Sequence, residues 1–160
     1  MAKPIDNIIV AQIDALLTNE TNVIANLSNA SALLKSEVDD LNWAGFYLYD
    51  ETSESLDLGP FQGEVACMHI AKGAGVCGTA LANREVLRVP NVHEFPGHIA
   101  CDSASNSEIV LPLIKDDHII GVLDIDSPSL DRFTESDEET LTKFRDALLT
   151  HIDIKSLDRV

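Results

Sequence analysis

Positive charge is scarce in this chain. Eleven lysines and arginines stand against 27 aspartates and glutamates, a formal net charge of −16. A surface that acidic repels phosphate backbones and anionic headgroups, which argues against nucleic-acid and membrane partners. It leaves room for a small ligand that carries an ammonium group. Long apolar runs are missing too. Nothing approaches the roughly 18 residues that a membrane-spanning helix needs, and residues 1–6 hold one lysine and no apolar stretch of the kind a secretory leader has. The cytosol is therefore the expected compartment. Cysteine is limited to three residues, with no Cys-x-x-Cys pair. That spacing argues against a zinc ribbon and a thioredoxin-type motif, and in a reducing compartment such thiols are free, catalytic or redox-cycling rather than structural. Glycines and prolines are few, eight and six, and hydrophobic residues make up 45% of the 160. With no repeat, low-complexity tract or linker, the expectation is one globular domain over residues 1–160.

The periodicity changes along the chain. Ile9, Ile13, Leu16 and Leu17 share one helical face, and after a polar break Val23, Leu27, Ala30 and Leu34 recur at helical spacing to about Glu37. Alternation then predicts strands. In residues 43–49, Trp43, Gly45, Tyr47 and Tyr49 face one way and Ala44, Phe46 and Leu48 the other. Residues 56–58 form a second strand ended by Gly59-Pro60, and residues 64–70 a third. A glycine turn precedes a short helix over 76–83, and residues 86–89 form a short strand ended by Pro90. Residues 90–107 are a long connection with two histidines and one cysteine, and connections of that length inside a domain are usually functional. Strands over 107–114 and 119–125 follow, joined as a hairpin through Lys115-Asp116-Asp117-His118. Thr134 with Asp137 resembles a capping box that opens a last helix, whose stripe is Leu141, Phe144, Leu148 and Ile152. Strands cluster rather than alternate with helices. The fold class is therefore α+β, a largely antiparallel central sheet with helices packed mainly on one side.

Two sets of residues carry chemistry. Cys67, Cys77 and Cys101 are spaced by 10 and 24 residues, and spacing alone leaves open whether any two form a redox pair. Cys67 reads as a strand residue that could simply fill a core. Cys77 begins a helix, where the helix N-terminus would lower its pKa, although packing explains it equally well. Cys101 is harder to dismiss, because it lies in the long polar loop between His98 and Ser105. The second set is acidic. Alternation puts Asp124 and Asp126 on one face of a strand with Val122, and Leu123 and Ile125 on the other. A hairpin would bring Glu108 beside them. Strand-end aspartates are common, but three carboxyls converging near a thiol loop would raise one another's pKa and leave one protonated near neutral pH. His93 and His98 make a weak metal pair with no ligand spacing, and no metal site is expected. His118 reads as a surface residue.

Several stretches resemble a known family. They are Asn42-Trp43-Ala44-Gly45-Phe46-Tyr47-Leu48, Leu58-Gly59-Pro60-Phe61-Gln62-Gly63, Gly75-Val76-Cys77-Gly78-Thr79-Ala80, residues 98–112 around Cys101, and Gly121-Val122-Leu123-Asp124-Ile125-Asp126-Ser127. Together they resemble the GAF-domain enzymes called free methionine-(R)-sulfoxide reductases, over nearly the whole chain. The resemblance implies a single GAF domain with Cys101 as the catalytic cysteine. It implies Cys67 as the resolving cysteine that closes a disulfide with it, and Cys77 as a third cysteine that also serves in resolution. It implies Glu108, Asp124 and Asp126 as substrate-binding acids. Free methionine sulfoxide is the implied substrate and thioredoxin the implied reductant. No cofactor is implied, and a homodimer is suggested. Departures from the family pattern fall at Met68-His69-Ile70-Ala71-Lys72 and at Leu81, away from the acids. The rival readings are a non-enzymatic GAF ligand sensor, a thiol regulator whose disulfide gates a partner surface, and a cysteine hydrolase with His98 as base.

Overall fold

The computed structural model describes residues 2–159. Its elements run α1 (Ile8–Leu17), α2 (Val23–Glu37), β1 (Trp43–Asp50), β2 (Ser55–Gly63), β3 (His69–Ala71), α3 (Gly75–Asn83), β4 (Leu87–Val89), β5 (Ser107–Lys115), β6 (His118–Ser127) and α4 (Glu135–Leu149). The six strands form one sheet in the order β3-β2-β1-β6-β5-β4, with every neighbouring pair antiparallel. This is the expected α+β architecture.

Alternation along the strands separates two cores. Ala44, Phe46, Ile109, Leu111, Leu123 and Ile125 point to the face covered by α1, α2 and α4. Trp43, Tyr47, Val110 and Val122 point to the other face, under α3 and the long connection. Three helices thus seal one side of the sheet. The other side keeps a single short helix, which leaves room for a cavity.

Local chemistry accounts for most of the boundaries. Asp116 and Asp117 both adopt positive φ (51° and 61°) in the two-residue turn between β5 and β6, the backbone twist that tight hairpins favour. Thr134 and Asp137 exchange both bonds of a capping box at the start of α4, and Asp serves where Glu is usual. Gly121 lies so close to the Tyr47 carbonyl that any Cβ would collide with it, so glycine is what lets β6 pair tightly with β1.

Four expectations need correction. Leu16 is exposed, and only Ile9, Ile13 and Leu17 bury their side chains along α1. β2 does not stop at Gly59-Pro60. The register passes from Gly45 opposite Phe61 to Tyr47 opposite Leu58, so the pair is absorbed as a bulge, one of the few places a sheet tolerates proline. The strand expected over 64–70 shrinks to His69–Ala71. Upstream of it, side chains replace a strand ladder: Trp43 Nε1 donates to the Glu64 carbonyl at 3.2 Å and the Tyr47 hydroxyl to the Cys67 carbonyl at 3.0 Å. Finally, the long connection carries a 3-10 turn at Val92–Glu94.

One buried ion pair ties the N-terminal segment to α4. Arg132 Nη1 meets Asp137 Oδ2 at 3.1 Å with both side chains buried. Arg132 also donates to the carbonyls of Asp39 and Lys3, and Asp137 Oδ1 accepts from the Ile5 amide. Removing one partner leaves an uncompensated buried charge, which typically costs about 3–5 kcal/mol. Asp137→Ala is expected to lose stability of that order in urea unfolding; a loss near zero would mean that the network is solvated.

Candidate active site

The acidic set assembles as alternation and hairpin pairing require. Glu108 on β5 lies opposite Asp126 on β6, and Asp126 lies in turn opposite Trp43 on β1. Asp124 is opposite Gly45. All three carboxyls are buried and line one cavity with Cys77, Cys101 and His98. Trp43 and Tyr47 form an aromatic wall, stacked with ring centroids 5.8 Å apart. Trp43 also stacks on Phe61 at 5.1 Å. With the disulfide closed, the free volume inside the cavity is about 40 Å³.

The cavity's electrostatics are one-sided. No lysine or arginine lines it among the described residues. Burial and the neighbouring His93 hold His98 below its usual range, so that ring brings no positive charge. Asp124 Oδ1 and Asp126 Oδ1 are buried with no protein partner and line the cavity, where a bound ligand's donors can reach them. Burial pushes all three carboxyls above the usual carboxylate range. For Glu108 and Asp126 the negative charge of Asp124 adds to the rise. For Asp124 the rise from burial is opposed by hydrogen bonds from Glu108, Cys77 and Asp126. Asp124 is therefore pushed up less far than Glu108 and Asp126. A cluster that mixes a carboxylate with a protonated carboxyl can bind a cation and also donate to an oxygen.

The thiols divide by position. A disulfide joins Cys67 to Cys101, with Cα atoms 5.2 Å apart across 34 residues of sequence. Cys67 lies in the irregular segment before β3, not in a strand as expected. Cys101 lies in the long connection, which Asn42 secures by donating to Asp102 Oδ2 at 2.9 Å and to Ser105 Oγ at 3.0 Å. Cys77 is a buried free thiol directed at Glu108 Oε2, 3.9 Å away. Its place in the first turn of α3 does not lower its pKa. Burial raises it, and the charges of Asp124, Glu108 and Asp126 raise it further. Cys77, Glu108 and Asp124 offer ligand atoms within 4.8 Å of one another and are the set that could hold a metal among the described residues. Of the weak histidine pair, His98 lines the cavity, and His93 Nε2 is 2.7 Å from Asn106 Oδ1.

Trp43, Tyr47, Asn42 and Ser105 belong to the site, although residue chemistry alone singled out none of them. The alternation of β1 carried the signal for the two aromatics. Once β1 pairs with β6, the face that holds Trp43 and Tyr47 is also the face that holds Asp124 and Asp126.

A curled antiparallel sheet with a small-ligand cavity on its thinly covered face defines the class. The sequence matches the GAF domain family over residues 12–151, and the chain belongs to that family. It is 57% identical over 128 residues to the free methionine-R-sulfoxide reductase of Escherichia coli, which covers 80% of this chain and 76% of that protein. Among solved structures it is similar to fRMsr of Staphylococcus aureus in complex with substrate, with TM-score 0.89 and 47% identity, covering 96% and 99% of the two chains. It is also similar to free methionine-R-sulfoxide reductase from Neisseria meningitidis in complex with its substrate, with TM-score 0.87 and 42% identity, covering 94% and 89%.

Proposed function

We propose that this chain, one GAF domain from end to end, reduces free L-methionine-(R)-sulfoxide to methionine. The observation that carries the reading is a disulfide, Cys67–Cys101, set at a cavity whose charged groups are all carboxyls. The Asp124 carboxylate attracts the substrate ammonium. A peptide-bound methionine sulfoxide has no ammonium there, so selectivity for the free amino acid follows from charge. The Cys101 thiolate attacks the electrophilic sulfur. Glu108 and Asp126 present their protons to the sulfoxide oxygen, which leaves the substrate as the hydroxyl of a Cys101 sulfenic acid while methionine departs. The Cys67 thiol attacks that sulfenic sulfur, the S–O bond breaks and water leaves. A dithiol such as thioredoxin then reduces the disulfide. No flavin, nicotinamide or metal takes part in this sequence. The cycle needs a supply of dithiol reductant, and the cytoplasm is the compartment proposed for it. Ile8, Leu16 and Ile24, exposed on α1 and α2, are apolar side chains a homodimer could cover, and light scattering at 17.4 kDa would exclude one.

A non-enzymatic GAF sensor would share the cavity but would not need the disulfide. The test is methionine release in dithiothreitol from the free R epimer, the free S epimer and an N-acetylated R epimer. Release from the first alone is expected, and release from none would favour a sensor.

Cys77 is expected to sit outside the disulfide cycle. Its thiol is buried against Glu108 and a different pair is joined. Cys77→Ala is expected to keep thioredoxin-driven turnover within about tenfold of the wild type, because it removes one weak hydrogen bond and a small side chain. Cys67→Ser is expected to release about one methionine per chain and then stall with thioredoxin, leaving a sulfenic acid that dimedone labels. Continued turnover of Cys67→Ser that disappears when Cys77 is also replaced would move resolution to Cys77.

A further inference from the structure

The two sulfurs of the disulfide face different surroundings. Both cysteines are half-buried, but Cys101 lines the cavity and Cys67 lies outside the lining. The exposed side chains beside them are unusual. Single exposed apolar residues are ordinary on any protein. Here Val65 is 85% exposed, Met68 70% and Ile99 39%, and each lies within two residues of one of the bonded cysteines. They are three of the seven large apolar side chains exposed among the described residues. The disulfide draws together the two segments that carry these three side chains.

The backbone under this rim is fixed. The Cys67 carbonyl accepts from the Tyr47 hydroxyl, the Glu64 carbonyl accepts from Trp43 Nε1, and the Met68 carbonyl accepts from the Leu58 amide at 2.9 Å. The exposure of Val65 and Met68 is therefore built into the fold. The rim is also the electrically quiet part of the molecule. Residues 64–74 and 97–105 carry Glu64, Lys72 and Asp102, one net negative charge in a chain of −16. A protein partner meets less repulsion there than over the rest of an acidic surface. A half-exposed disulfide at the centre of an apolar, weakly charged rim specifies the chemistry of what covers it: a protein that carries a vicinal dithiol beside an apolar contact surface.

We propose that the oxidised chain is reduced by a dithiol protein that docks on Val65, Met68 and Ile99 and attacks Cys67 Sγ, not Cys101. This rests on the reductase reading and adds to it which sulfur is attacked and where the reductant sits. The attacking thiolate forms a bond to Cys67 Sγ. The Cys67–Cys101 bond breaks and its electron pair leaves on Cys101, which returns to the cavity as a thiolate. The partner's second thiol then attacks the partner's own sulfur in the mixed disulfide. Cys67 is released as a thiolate, the partner is left oxidised, and the chain has gained two electrons. In this order Cys101 is regenerated first, and the catalytic cavity never has to admit the partner.

The test uses the oxidised full chain and no sulfoxide. A thioredoxin whose second active-site cysteine is serine traps the mixed disulfide, and peptide mapping locates it. Attachment to Cys67 is expected, and attachment to Cys101 overturns the proposal. In parallel, the double variant Val65→Ser with Met68→Gln is reduced by wild-type thioredoxin and, separately, by dithiothreitol. The rate constant with thioredoxin is expected to fall about tenfold or more, as for the loss of apolar anchors at an interface, and that with dithiothreitol to stay within about twofold. Equal losses with both reductants, or no loss with either, overturn docking on the rim. Both side chains are exposed, so the melting temperature should not move, and a fall in it would trace the lost rate to the fold and overturn the docking role. Methionine release is measured separately. Its absence, with reduction behaving as expected, would defeat the reductase reading and leave the docking surface standing.

Discussion

Cys101→Ser is expected to abolish multiple turnover and also the first release of methionine. The serine hydroxyl is far less nucleophilic than a thiolate at neutral pH, and no sulfenic acid can form without sulfur. A loss of at least about 10⁴-fold in kcat/KM is expected, on the scale seen when a nucleophile is removed. Substrate affinity should survive, because the groups proposed to bind the amino acid are on β5 and β6 and do not depend on the sulfur. Calorimetry on the reduced variant should therefore still detect free methionine sulfoxide. A Cys101→Ser protein that releases methionine at the wild-type rate would refute the assignment, and Cys77, the remaining sulfur at the cavity, would become the candidate nucleophile.

Glu108→Gln is expected to separate activity from stability. Gln keeps the size of Glu and can still donate a hydrogen bond, but it has no proton to transfer. Loss of a positioned general acid typically costs about 10²–10⁴-fold, and that range is expected for kcat/KM on the free R epimer. Stability should move the other way. Burial raises the Glu108 pKa in the folded chain, and Asp124 raises it further, so the folded state binds this proton more tightly than the unfolded state. The stabilising contribution is complete below the unfolded value, about 4.3, and is lost as pH rises through the folded one. The variant has no such loss. Its melting temperature relative to the wild type should rise between pH 5 and pH 8 (the same direction is expected for Asp126→Asn). A difference, variant minus wild type, that stayed flat or fell as pH rose would mean that Glu108 is already ionised in the folded protein.

Most of the frame could be read from the chain because its signals are local. The stripe Val23, Leu27, Ala30, Leu34 is buried as its spacing predicts, and the alternation of 43–49 separates the two cores. The Asp116-Asp117 turn and the Thr134 cap act within four residues of themselves. The failures have a common cause in long-range partners. Gly59-Pro60 looks like a terminator until β1 is seen to accept it as a bulge. Residues 64–68 read as part of a strand, but the Glu64 and Cys67 carbonyls are claimed by Trp43 and Tyr47, about 20 residues upstream.

The site divides in the same way. Glu108, Asp124 and Asp126 could be brought together by alternation and one hairpin, and the structure does bring them together. The pairing of Cys67 with Cys101 could not, because 34 residues separate them and spacing offered three pairings. Only the family resemblance pointed to that one. Cys77 shows the limit of a local rule. Its helix position predicts a lowered pKa, but burial against three carboxyls outweighs a partial charge at the N-terminus of a short helix.

The most direct measurement is a single turnover without reductant. Fully reduced protein is mixed with excess free methionine-(R)-sulfoxide, quenched with an alkylating agent under denaturing conditions, and divided between methionine quantitation and peptide mass mapping. One methionine per chain is expected, with a Cys67–Cys101 disulfide and an alkylated Cys77. No methionine, or one methionine with the new disulfide ending on Cys77, would contradict the proposed chemistry.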